Sequence, residues 1–125
     1  MKFSKALPLL FGEMQKQKID FALVGGLALY TLGAARTTFD ADFLILLSQA
    51  AQVAEIMKRL GYQALHQTDD VANFSSDDPE MGQVDFLFAH RHYAKAMLQR
   101  AEKTTLLGLS VKVIRPEDLI SAEMV

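Results

Sequence analysis

Apolar residues recur at helical spacing near the start of the chain, at Phe3, Leu7, Leu10, Phe11 and Met14. Residues three and four apart share one face of a helix, so this spacing predicts an amphipathic helix over residues 3–17. Pro8 favours a start near Leu7, because proline is tolerated best at the beginning of a helix.

Short apolar runs follow, bounded by glycine, serine or aspartate, and these predict strands. The predicted strands cover residues 21–24, 40–47, 62–67, 71–75 and 83–89, with one or two weaker strands over 106–114. Helical patterns occupy residues 27–34, 48–60 and 91–102, and Pro116 begins a last helix. We expect 71–75 and 83–89 to pair as a hairpin. The alternation predicts an α/β (α+β) domain in which helices flank a small mixed sheet.

Length and composition narrow the class of protein. A chain of 125 residues suits a single domain over residues 1–125, and a hydrophobic content of 50% argues against disorder. The absence of cysteine excludes disulfides, thiolate zinc sites and cysteine nucleophiles. There is no run of about 18 apolar residues to span a membrane, and Glu13 and Lys16 interrupt the N-terminal segment too early for a signal peptide. We expect a cytoplasmic protein.

The net charge of −2 is unevenly distributed. Residues 69–80 hold five of the 15 acidic residues and no lysine or arginine, and we expect this acidic segment to be solvated. Elsewhere the 13 basic residues outnumber the acidic ones. The pattern indicates neither a strongly basic nucleic-acid-binding protein nor a uniformly acidic surface.

A glycine pair closes the first predicted strand. Val24 is followed by Gly25 and Gly26, and then by a predicted helix. Backbone N–H groups at the start of a helix suit a phosphate, and glycines let a bulky polyphosphate approach the backbone closely. Taken alone, however, a glycine pair is better explained as a tight turn between strand and helix.

Two aspartates share a face of the next predicted strand. Asp40 and Asp42 are one residue apart, so their side chains would point the same way, about 7 Å from each other. On an otherwise apolar strand these carboxylates would repel each other, and burial would raise the cost. A divalent cation relieves the repulsion, and hard oxygen ligands favour Mg²⁺ or Mn²⁺. The alternative is a pair of surface acids at the solvated start of the strand.

A third acid lies on a later strand. Asp85 is an isolated carboxylate among Val84, Phe86 and Leu87, and buried acids without a partner are rare. If this strand neighbours residues 40–47, three carboxylates meet at one sheet edge, where one could bind a second metal ion or accept a proton from an attacking hydroxyl. The alternative is an edge strand on which Asp85 faces water.

The combined motifs resemble the nucleotidyltransferase superfamily of the polymerase-beta type. Its pattern is a hydrophobic residue, Gly, and Gly or Ser, then Asp-hydrophobic-Asp-hydrophobic, and later a third acid. The matching residues are Val24-Gly25-Gly26, Asp40-Ala41-Asp42-Phe43 and Val84-Asp85-Phe86.

Some segments look more narrowly like the AbiEii-type and minimal nucleotidyltransferases of toxin–antitoxin systems. These are residues 21–45, which include the run from Arg36 to Asp42 with the family spacing Arg-x-Thr-x-Asp-x-Asp, and residues 113–120. The resemblance covers roughly residues 20–125 and implies a single minimal nucleotidyltransferase-like domain.

The resemblance also implies roles for the motif residues. Gly25 and Gly26 would hold the triphosphate of an NTP such as ATP. Asp40 and Asp42 would bind Mg²⁺ or Mn²⁺, and Asp85 would complete the metal-binding, catalytic carboxylates and activate the acceptor.

Two residues of the preceding segment are further candidates for the nucleotide site. The planar fork of Arg36 suits a phosphate contact, with a surface ion pair as the alternative. Thr38 either contacts the phosphates or only shapes the loop.

Two functions remain open at this point. The first is metal-dependent transfer of an NMP group from an NTP to a hydroxyl acceptor on a protein, a tRNA or a small molecule. The second is a catalytically weak subunit that acts through a protein partner in a toxin–antitoxin pair, or as a homo-oligomer. Departures from the family pattern favour the second, since Glu123 replaces a frequent lysine and the usual following helices are missing, whereas the intact set of three acids favours the first.

Overall fold

Helices and strands alternate along the chain in the computed structural model, which describes residues 1–33 and 40–123, with side chains up to residue 119. The helices are α1 (Phe3–Lys16), α2 (Gly25–Thr31), α3 (Ala50–Arg59), α4 (His92–Arg100) and α5 (Pro116–Glu123), and a 3₁₀ turn covers Leu47–Gln49. The strands are β1 (Phe21–Val24), β2 (Ala41–Leu46), β3 (Tyr62–Gln67), β4 (Val71–Ser76), β5 (Val84–Ala89), β6 (Glu102–Leu106) and β7 (Leu109–Val113). No helix within these ranges combines the length and the apolar character needed to cross a membrane.

These strands form one mixed sheet in the order β3-β4-β5-β2-β1-β7-β6. The central strand β2 pairs antiparallel with β1 on one side and parallel with β5 on the other. β4 and β3 continue antiparallel beyond β5, while β7 runs parallel to β1 and pairs antiparallel with β6. The predicted mixed sheet with flanking helices and the hairpin of β4 with β5 are therefore confirmed. The strands that carry Asp42 and Asp85 are neighbours, which excludes the alternative of an edge strand for Asp85.

A row of phenylalanines fills one face of the sheet. Phe43 of β2 and Phe86 of β5 stack with their ring centroids 5.5 Å apart. Phe11 of α1 packs edge-on against Phe43 at 6.0 Å, and Phe74 of β4 packs edge-on against Phe86 at 5.7 Å. Because successive side chains of a strand point to opposite faces, burying Phe43 and Phe86 here directs the preceding residue of each strand to the other face.

The first helix departs from its predicted start. It begins at Phe3 rather than near Leu7, and Pro8 lies inside it. Phe3, Leu7 and Leu10 are all buried along one face, whereas Pro8 is exposed. Pro8 removes one backbone hydrogen bond from the helix. Starting the helix at Phe3 buries the Phe3 side chain, and that burial outweighs the lost hydrogen bond.

The acidic segment contains the predicted strand and is tied to the first helix. Residues 71–76 form β4, and two of the acids that follow pair with α1, since Lys5 Nζ lies 2.7 Å from Asp78 and 3.1 Å from Glu80. This pairing raises the pKa of Lys5 and lowers the pKa values of Asp78 and Glu80. The backbone N–H of Lys2 also donates to the Glu80 carbonyl at 2.6 Å. The first helix therefore anchors the loop that leads into β5.

Candidate functional site

Four neighbouring strands align the end of β1 with three polar residues in a single row. Val24, the last residue of β1, is opposite Asp42, and Asp42 is opposite Asp85. Asp85 is in turn opposite Asn73 of β4. The row lies where β1 ends and where β2 and β5 begin, so the turn after Val24 meets the carboxylate of Asp42, which in turn contacts Asp85. The sheet register thus brings together the glycine motif and two of the three predicted acids.

Gly25 makes the closest approach to this row. Its φ is +66°, a left-handed conformation in which a side chain is strained. A Cβ added at Gly25 would lie less than 3.0 Å from Asp42 Oδ2 and 3.2 Å from Asp42 Cγ, distances that require the carboxylate to move. Glycine is therefore required twice at this position, once by the backbone turn and once by the carboxylate beside it.

Asp42 is the electrostatic centre of the site. It is half-buried on the face opposite the phenylalanines. Burial, followed by the charge of Asp85, a hydrogen bond with Asp85 and the charge of Asp40, raises the pKa of Asp42 to about 7. Two carboxyl groups in contact cannot both remain ionised cheaply in a partly dehydrated site. The pair therefore favours a bound proton or a bound cation over two free negative charges.

Asp85 is held by two side-chain amides. Its Oδ1 accepts a hydrogen bond from Asn73 Nδ2 at 2.7 Å and another from Gln83 Nε2 at 3.0 Å. Sequence reasoning missed both amides. Only the register of β4 against β5 shows that Asn73 is opposite Asp85, and Gln83 shares the face of Asp85 because it lies two residues before it.

The other predicted site residues lie on either side of this row. Asp40 immediately precedes β2, close enough for its charge to act on Asp42. Gly26 is the second residue of α2, beside Gly25. Arg36 and Thr38 lie outside the described residues.

The chemistry of the donors fits a hard divalent cation. Asp42 and Asp85 offer carboxylate oxygens in mutual contact, which is the ligand type that Mg²⁺ and Mn²⁺ prefer. Among residues 1–33 and 40–123, no three acidic or histidine side chains are grouped closely enough to hold a metal ion. The pair Asp42–Asp85 is thus the part of the site that the fold assembles, and the inclusion of Asp40 as a third ligand stays a prediction.

Comparison with solved structures identifies the fold. The lincosamide antibiotic adenylyltransferase LnuA, solved with lincomycin bound, matches with a TM-score of 0.73 at 15% identity, over 94% of this chain and 83% of that chain. A putative nucleotidyltransferase from Thermotoga maritima matches with a TM-score of 0.74 at 12% identity, over 98% of this chain and 83% of that one. The antibiotic-resistance factor ANT(2'')-Ia matches with a TM-score of 0.72 at 15% identity, over 96% of this chain and 70% of that one.

Comparison of the sequence alone finds less than comparison of the structure. No family model matches it, and no curated protein matches it. At these identities the structural matches establish the architecture, which is a nucleotidyltransferase-like fold.

Proposed function

We propose that this chain is a metal-dependent nucleotidyltransferase that moves an NMP group from an NTP to a hydroxyl acceptor. The observation that carries the proposal is that Asp42, beside the end of β1, contacts both Gly25 and Asp85. This arrangement places two acids in hydrogen-bonding contact beside a backbone that has no side chain in the way. The nucleotidyltransferase-like fold supports the same conclusion.

The reaction can be assigned to residues of this chain. A Mg²⁺ or Mn²⁺ ion held by Asp42 and Asp85, with Asp40 as the third carboxylate, would neutralise charge that develops on the phosphates. Gly25 and Gly26 leave room for the triphosphate next to these acids. Asp85 accepts the proton of the acceptor hydroxyl as its oxygen attacks the α-phosphorus. The new P–O bond forms as the bond to the β-phosphate oxygen breaks, and pyrophosphate leaves.

Catalysis of this kind depends on positioning and electrostatics. The acids do not become covalently modified, so their task is to hold charge at fixed points. Their attachment to the central strands of the sheet, above the stacked Phe43 and Phe86, suits that task because neither strand can shift without disturbing the core. Arg36 and Thr38, which precede Asp40, are proposed to contact the phosphates.

The acceptor is proposed only as a class. The fold neighbours include an enzyme solved with lincomycin and one solved with adenylyl-2''-tobramycin, so small hydroxyl-rich molecules are the first acceptors to test. A tRNA or a protein is a second group. The net charge of −2 makes extensive contacts to a nucleic-acid backbone the weaker choice.

The decisive experiment follows label from an NTP. The purified protein is incubated with Mg²⁺ and each α-³²P-labelled NTP, with small acceptors, RNA or cell protein. Asp42→Asn and Asp85→Asn are compared with Asp77→Asn, which alters an exposed acid outside the site. We expect transfer by the wild type and by Asp77→Asn, and a loss of about 100-fold or more in Asp42→Asn and Asp85→Asn. Absence of transfer by the wild type to every acceptor would refute the enzymatic proposal.

The toxin–antitoxin hypothesis gives a different result in the same assay. It rests on the sequence resemblance to AbiEii-type proteins around residues 36–42, and it predicts that the protein binds NTP and metal but transfers nothing alone. Transfer that appears only after a partner protein is added would favour it.

A further inference from the structure

Both amide hydrogen bonds to Asp85 fall on the same carboxylate oxygen. Asn73 at 2.7 Å and Gln83 at 3.0 Å both donate to Oδ1. A carboxylate oxygen has two lone pairs, so these amides fill the capacity of Oδ1. Oδ2 is the oxygen that the two amides leave for a cation or for an acceptor hydroxyl, and Asp42 contacts the same carboxylate.

The two donors reach Asp85 from different directions. Asn73 comes from β4, directly across the strand pair, whereas Gln83 lies two residues earlier on the chain, just before β5 begins. Bonds from two directions restrict rotation of the carboxylate more than either bond alone. The Asp85 carboxylate is thereby confined to one orientation at the start of its strand.

Both donors are uncharged, and this matters for the chemistry. A lysine or arginine at either position would neutralise Asp85 and compete with a metal ion for its charge. An amide instead orders the carboxylate and leaves its negative charge available. Two amides are therefore suited to a carboxylate that must bind a cation.

We infer that Asn73 and Gln83 are positioning residues, which hold Asp85 so that Oδ2 alone serves the metal ion or the acceptor. The inference rests on the proposed function, because it assigns these residues a part in the same site. Partners that orient a metal ligand typically change metal affinity or activity by about 10–100-fold when removed.

The first test uses the free protein and Mn²⁺ alone. Mn²⁺ binding is measured by calorimetry for the wild type, Asn73→Ala, Gln83→Ala and Ser75→Ala. Ser75 is the matched control because it lies two residues beyond Asn73 on the same face of β4. We expect Mn²⁺ affinity to fall about 10-fold or more in the first two variants and to stay unchanged in Ser75→Ala.

The second test separates positioning from stability. With labelled NTP, the two amide variants should lose kcat while KM for the NTP stays within about twofold, because the glycine turn is untouched. Circular dichroism melting shows whether each variant is folded. If Asn73→Ala does not fold, Gln83→Ala still tests the inference, because Gln83 lies outside the strands.

The outcomes distinguish this inference from the proposed function. If the wild type binds no Mn²⁺ and transfers no label, the proposed function fails and this inference with it. If the wild type binds Mn²⁺ and both folded amide variants bind it equally well, only the positioning role of Asn73 and Gln83 is overturned.

Discussion

The carboxylate of Asp42 lies against the Cα of Gly25, so closely that a Cβ on Gly25 would meet Oδ2 at less than 3.0 Å. The contact arises because β1 and β2 are antiparallel, with Val24 opposite Asp42, so the turn that follows Val24 folds over the start of β2. Any group that binds Asp42 from this side therefore also meets the backbone of the glycine turn.

Gly25→Ala should disrupt the site more than it strains the backbone. A non-glycine residue in a left-handed conformation costs roughly 1–2 kcal/mol wherever it occurs. Gly108→Ala is the matched control, because Gly108 has a φ of +78° and no atom within 4 Å of an added Cβ. Urea unfolding should show a comparable backbone cost in both variants and an added loss in Gly25→Ala. Only Gly25→Ala should lose NTP binding, and equal behaviour of the two would contradict the contact with Asp42.

The contribution of Asp42 to the stability of the metal-free protein should fall as the pH rises from about 4 to 7. The pKa of Asp42 is raised from 3.8 to about 7 in the folded chain, so in this window the folded state binds a proton that the unfolded state has released. The stabilisation from the protonated form is complete below pH 4 and is lost above pH 7.

Asp42→Asn isolates this effect. The measurement is the difference in Tm between the variant and the wild type, in EDTA, at several pH values. We expect the variant to gain stability relative to the wild type between pH 4 and 7, with a plateau above pH 7. A difference that does not change with pH would show that Asp42 titrates normally.

A divalent metal ion should offset the loss of stability that the repulsion between Asp42 and Asp85 causes. A ligand that binds only the folded state stabilises it by about 2.7 kcal/mol at 100 times its Kd. Mg²⁺ or Mn²⁺ should therefore raise the Tm of the wild type by several degrees at pH 8, and Ca²⁺ serves as a comparison for size selectivity. Asp85→Asn should abolish the rise, and Asp77→Asn should retain it. A rise of equal size in Asp85→Asn would place the metal elsewhere.

The last helix should depend on one ion pair. Arg100 at the end of α4 donates through Nε at 3.2 Å and through Nη2 at 2.8 Å to the Asp118 carboxylate of α5, which is buried. Asp118 draws the pKa of Arg100 upward. Arg100→Ala should lower Tm by a few degrees, because it leaves Asp118 buried without its partner.

Arg59→Ala is the control for this prediction. Arg59 also ends a helix, but its pair with Glu13 is longer, at 3.6 Å, and more exposed. We expect little change in Tm from Arg59→Ala, since exposed pairs contribute little. Equal losses in the two variants would mean that the Arg100–Asp118 pair has no special role in holding α5.

The local sequence determined most of the elements and singled out the residues that are proposed for the site. Apolar alternation around Asp42 and Asp85 predicted two strands with isolated acids, and the glycine pair predicted the turn after β1. Such features depend on neighbours within a few residues, where side-chain period and glycine conformation act directly. The helix begins at Phe3, ahead of its predicted start, because the burial of Phe3 offsets the penalty of Pro8, and no local pattern contains that burial.

The tertiary structure decided what no local pattern contains. The register that sets Asp42 opposite both Val24 and Asp85 comes from pairing between strands far apart in the chain, and a shift of one residue would turn every side chain to the other face. The same register delivers Asn73 to Asp85, and it brings the Asp42 carboxylate onto Gly25. Residue types therefore indicated which groups could take part in the site. The packing of the phenylalanine face fixed which of these groups meet, because burying those rings sets which side chains of β2 and β5 point to the opposite face.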